Sequence, residues 1–148
     1  MKTSELMIGD WVLHEGEPYQ IRQFGIYGVD IGKPTGICLI VERNEIEPIP
    51  LSPEILEKNG FYWGYTSNEY DIASSTIASL DEDDKGWVWD EGGGAVKIQF
   101  PTNSDGGVIV ADDQSFDRFL TLHFCNDIYV HELQHIFKLC KINKEIVL

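Results

Sequence analysis

Short apolar runs separated by turn residues fill the first fifty positions. Trp11 to Leu13, Tyr19 to Phe24, Ile26 to Ile31 and Ile37 to Val41 are divided by EGEP at 15–18, by Gly25 and Gly28, and by GKPTG at 32–36. Runs this short, bounded by glycine and proline, predict strands and not helices. The pattern changes at IEPIPLSPEILEKNGF. Pro48 and Pro50 enforce an extended approach, Ser52 can cap a helix that opens on Pro53, and Gly60 can stop it, so a short helix is expected over 53–59. Leu51 and Leu56 hold the positions of a hydrophobic staple. Beyond it the short runs resume: Phe61 to Tyr65, Tyr70 to Ala73, Gly86 to Trp89, Ala95 to Phe100, Gly107 to Ala111 and Phe119 to Phe124. The triplet Gly92-Gly93-Gly94 between WVWDE and AVKIQF predicts a hairpin with Val96, Ile98 and Phe100 on one face. The last element is a helix, expected from a cap at Asn126 and Asp127 to Leu139 or Cys140.

These elements predict an α+β fold: an N-terminal barrel over 1–49, then a 50–148 α+β domain in which an antiparallel meander carries the short helix and packs against the C-terminal one. The barrel expectation rests on Ile8-Gly9-Asp10-Trp11-Val12, Gly16 and Tyr19-Gln20-Ile21, which resemble the opening hairpin of small SH3-like barrels.

Composition narrows the function classes. With 148 residues, 43% of them hydrophobic, the chain can bury a core of its own. Its formal net charge of -14 repels phosphate backbones and anionic lipid surfaces, so neither direct nucleic-acid binding nor membrane association is expected. The same charge would suit an acidic mimic of nucleic acid competing for a basic partner. Cys38, Cys125 and Cys140 form no CxxC pair, which predicts a reducing compartment and no cysteine zinc site. Glu5, Gly9 and Asp10 interrupt any leader-like apolar run at the start, so a cytoplasmic location is expected. DEDDKG at 81–86 invites comparison with a calcium loop, but Lys85 occupies the fifth position and strands flank it; a solvated loop is expected.

The string HELQH at 131–135 has the spacing by which zinc peptidases hold a metal through two histidines one helical turn apart, with the intervening Glu as general base. His131 and His135 would be the ligands and Glu132 the base of a zinc-dependent hydrolase. Against this, Lys138 stands where the extended HExxHxxGxxH motif needs glycine, and the nearby acids and imidazole, His123, Asp127 and Glu145, have no recognisable ligand spacing. On a helical wheel Tyr129, Val130, Leu133, Ile136, Phe137 and Cys140 form one broad arc, leaving His131 and His135 near the opposite side, where a partly exposed structural helix would place them. No Walker A loop, dinucleotide fingerprint or nucleophile elbow occurs, so no cofactor is expected.

IGDWV, PIPLSPEILEKNGF and YVHELQHIFKL, in that order, resemble a family of small uncharacterised proteins of Bacteroidetes genomes, often associated with prophages or mobile elements. The family usually has Gln at the position of Glu132 and Asn at that of His135, so the resemblance implies a structural role for this helix and transfers no activity. The expected function is a non-enzymatic protein-binding or accessory module with an unidentified protein partner. Its candidate surface is aromatic: Trp63, with Trp87 and Trp89 on one face of a single strand.

Overall fold

The computed structural model describes residues 5–65, 85–91, 94–100, 106–112, 118–124 and 128–148. The run at 70–73, the acidic stretch 81–84, the first two glycines of the triplet and the expected caps Asn126 and Asp127 lie outside the described residues. The fold is α+β, with two antiparallel sheets and two helices among the described residues. The chain divides into two compact units: residues 1–51 with 129–146 and 148, and residues 52–128 with 147.

The first unit is built on β1 (Trp11–His14), β2 (Glu17–Phe24), β3 (Val29–Gly32), β4 (Cys38–Val41) and β5 (Ile46–Pro48), in the order β4-β3-β2-β1-β5. His14 pairs with Glu17, so only Glu15 and Gly16 make the first turn, and both have positive φ (51° and 79°). That is the conformation whose twist suits a two-residue hairpin, and glycine adopts it at little cost. Alternation selects the core. Val29 and Ile31 are buried about a half-buried Asp30, and they join Val12, Ile21, Val41 and Ile46 in one cluster. Each such aliphatic side chain contributes about 1.5–3 kcal/mol on full burial. Among the described residues the sheet is open: β4 and β5 are its edges, and no pairing between them closes the barrel expected over 1–49. The run Ile26 to Ile31 is also split. Gly25 N–H donates to Gly28 O at 2.8 Å, turning the chain so that Ile26 and Tyr27 stand at the tip and the strand begins at Val29.

The second unit starts with α1 (Pro53–Lys58). Ser52 Oγ accepts from Ile55 N–H at 3.3 Å, and Pro53 opens the first turn. At the other end Gly60 (φ 85°) lets its own N–H reach Glu57 O and lets Phe61 N–H reach Leu56 O, satisfying two carbonyls in a Schellman motif. Strands β6 (Tyr62–Gly64), β7 (Gly86–Glu91), β8 (Gly94–Gln99), β9 (Gly106–Asp112) and β10 (Arg118–Phe124) follow as a meander in the order β10-β9-β8-β7-β6. Glu91 pairs with Gly94, the hairpin expected at the glycine triplet, and Val96 and Ile98 are both buried.

The C-terminal helix, α2 (Val130–Leu139), begins later than its sequence suggests. Tyr129 is its N-cap, held extended by a bridge to Pro50, while Val130 N–H donates to Ile49 O. Residues 129–146 therefore fall in the first unit. Hydrogen bonds to positions more than a hundred residues away hold the helix there, and helical periodicity carries no trace of them.

Candidate functional site

The polar residues of α2 converge on one segment, Ile8 to Trp11. Gln134 uses both ends of its amide: Oε1 accepts from Trp11 N–H at 3.0 Å and Nε2 donates to Gly9 O at 3.1 Å. His135 Nε2 lies 2.7 Å from Asp10 Oδ2, and Lys138 Nζ donates to Ile8 O at 3.4 Å. Lys138 follows His135 by three residues and Gln134 by four, so it neighbours both on the helix surface and the three reach the same segment. The chain's end adds a further tie, Trp11 Nε1 donating to Ile146 O at 2.8 Å. Asp10 has no exposed surface; its Oδ2 also accepts from Met7 N–H at 2.7 Å, while Oδ1 is buried without a partner.

Glu132, the general base of the zinc reading, accepts from Tyr129 N–H at 2.8 Å and so completes a cap at the helix start. His135 directs Nε2 at a carboxylate. The imidazoles of His131 and His135 meet edge to face, 5.7 Å between centroids. Among the described residues no group of three His, Cys, Asp or Glu side chains is arranged to hold a metal.

Both histidines sit deeper than the wheel expects. His131 is buried against the Tyr129 ring, stacked at 5.9 Å, and the His135 side chain is only 27% exposed. The wheel recognises one apolar side, but the Ile8 to Trp11 segment covers part of the polar side with backbone and a carboxylate. Burial pushes the pKa of His131 down, against the pull of Glu132, Asp10 and Glu5, with His135 adding to the depression. Its Nδ1 has no hydrogen-bond partner.

The three tryptophans of the candidate surface separate by depth. Trp63 pairs across β6 and β7 with Trp87, and Trp87 in turn opposes Ile98, so the three share a face of the second sheet. Exposure falls along this row: Trp63, on the edge strand, is 56% exposed, Trp87 is half-buried and Ile98 is buried. The Trp63 and Trp87 rings meet edge to face at 5.7 Å. Trp89, on the same face of β7, is buried and belongs to the core. Tyr62 is exposed beside Trp63, its hydroxyl reaching Tyr65 O at 3.3 Å.

A second exposed apolar region escaped the sequence reading. Ile37, Leu39 and Ile40 on and beside β4, with Ile26 and Tyr27 at the β2–β3 tip, all face solvent in the first unit. As sequence, GICLIV is indistinguishable from a core strand; only its position at the sheet's edge exposes it. Compared with protein-family models, curated proteins and solved structures, the chain has no significant match in any of the three.

Proposed function

We propose that the chain is a non-enzymatic accessory module that binds another protein through the aromatic edge of its second unit, acting in the cytoplasm and encoded by a mobile element as the sequence resemblance implies. The observation that carries this reading is Trp63: a tryptophan more than half exposed on an edge strand, its ring braced against Trp87. Large rigid aromatics held in place at a surface supply contact area at low entropic cost, which is why they recur as binding hot spots. The absence of any helix among the described residues long and apolar enough to cross a membrane is compatible with this reading.

Affinity purification of the tagged chain from its host, at about 50 and 200 mM salt, tests the proposal. A partner retained at both salts and lost with Trp63→Ala is the expected result. Retention that collapses at the higher salt and ignores Trp63→Ala would favour an acidic mimic of nucleic acid, because electrostatic contacts are screened over that range.

A further inference from the structure

In the first unit's sheet, β4 is paired on one side only, to β3, among the described residues. Proteins usually blunt such an edge with charge, a bulge or a proline within the strand. Here residues 34–41, Pro-Thr-Gly-Ile-Cys-Leu-Ile-Val, carry no charge in a chain whose net charge is -14. The strand is apolar on both faces. Leu39 pairs with Ile31 on the core side, and Ile40, 74% exposed, pairs with Asp30 on the other. At the Val41 end stands the β2–β3 tip, where Ile26 and Tyr27 are 97% and 92% exposed. Tip and strand are close neighbours: a Cβ at Gly28 would collide with Val41 O and lie 3.4 Å from Ile40 Cγ2. Ile26, Tyr27, Ile37, Leu39 and Ile40 are thus exposed along one edge and its adjoining tip, on both faces of the sheet, a concentration of apolar surface that marks an interaction site.

We propose that this edge joins two copies of the chain: β4 of one pairs antiparallel with β4 of the other about a two-fold axis, making one sheet from two. An isologous pairing sets an uncharged run, apolar on both faces, against an identical run, so no like charges meet within it. A cationic peptide would find no carboxylate anywhere in residues 34–41. The acidic residues responsible for the net charge lie outside the pairing and oppose it at a distance, so screening them strengthens association.

The inference is independent of the aromatic edge and is tested on the full chain by sedimentation equilibrium at about 50 and 500 mM NaCl. The expected result is a dimer that tightens as salt rises, with amide exchange across residues 37–41 slowing as protein concentration increases. Ile40→Lys and Ile26→Lys, at exposed positions where the monomer keeps its circular dichroism, should each weaken the dimer at least about tenfold, whereas Trp63→Ala should leave it unchanged. A monomer at every concentration, a dimer that loosens with salt, one indifferent to both lysine substitutions, or one abolished by Trp63→Ala would each overturn the proposal.

Discussion

Asp10 is buried within a segment that α2 grips from three side chains, and its bond to His135 is the contact that a single substitution tests best. In His135→Ala the carboxylate keeps only the Met7 amide, and a buried acceptor left short of a partner costs about 1–3 kcal/mol. The His135 side chain is 27% exposed, so water that takes its place moderates that loss. Gln can carry a donor to where Nε2 stands, while the shorter Asn cannot, so urea midpoints at neutral pH should fall in the order wild type, Gln, Asn, Ala. Equal midpoints for Gln and Ala would mean that the bond contributes nothing. His131 makes a separate prediction with a definite sign. Because its folded pKa is depressed, the unfolded chain binds more protons between that value and about 6.5, and stability falls as pH drops through this window and levels off below it. His131→Phe should flatten the difference in midpoint between about pH 7.5 and 5.5. An unchanged slope would mean that burial of the His131 imidazole is not the source of the acid sensitivity. The residue types of this site were legible in the sequence and their roles were not. Spacing offered a metal reading and the helical wheel a structural one, but neither names the partners of Gln134 and His135, which lie more than a hundred positions away, beyond the reach of any local pattern.

At the scale of elements, the sequence signals that held were those with a local physical cause. Ser52, Pro53 and Gly60 start and stop α1 with their own backbone and side-chain groups, and Glu91 pairs with Gly94 where the glycine run predicted a hairpin. The signals that misled depended on what lies beside an element: the start of α2 is set by the bridge from Tyr129 to Pro50, and the run Ile26 to Ile31 is broken by a turn that holds its first two residues in solvent. Two turns retain residues their geometry disfavours. Glu15 has φ 51° at the first position of a two-residue hairpin, and Lys141 has φ 56° where α2 ends. Lys141 N–H and Ile142 N–H reach Lys138 O and Phe137 O, the bonds that glycine usually closes after a helix. Glu15→Asn, which produces the preferred Asn-Gly hairpin, and Lys141→Gly should each raise stability by about 0.5–1 kcal/mol, read as a higher thermal midpoint with the circular dichroism spectrum retained. In contrast Leu133→Ala and Phe137→Ala, which empty buried positions of α2, should each cost about 2–5 kcal/mol.

For the molecule as a whole, the consequential feature is that the first unit is discontinuous in the chain. Its sheet comes from residues 1–51, but Trp11 is buried with its indole N–H on Ile146 O and its backbone N–H on Gln134, both supplied from the far end of the chain. A fragment of about fifty residues has little core to spare, and here part of it is missing. Residues 1–51 alone should therefore be poorly folded, and a peptide spanning 128–148 should complete them by binding only the folded form. Trp11 is the one tryptophan of that fragment, so its emission reports the event directly. Titrating the peptide should move the emission to shorter wavelength and raise the dichroism expected of strands. A peptide carrying Gln134→Ala and His135→Ala together should need at least about tenfold more to reach the same change, since it forfeits three hydrogen bonds to Gly9, Asp10 and Trp11. If the fragment instead folds by itself with Trp11 already shielded, residues 1–51 are an autonomous domain and the helix is an appendage. The two outcomes differ before any peptide is added, because an autonomous domain would show a cooperative thermal transition and an incomplete one would show none.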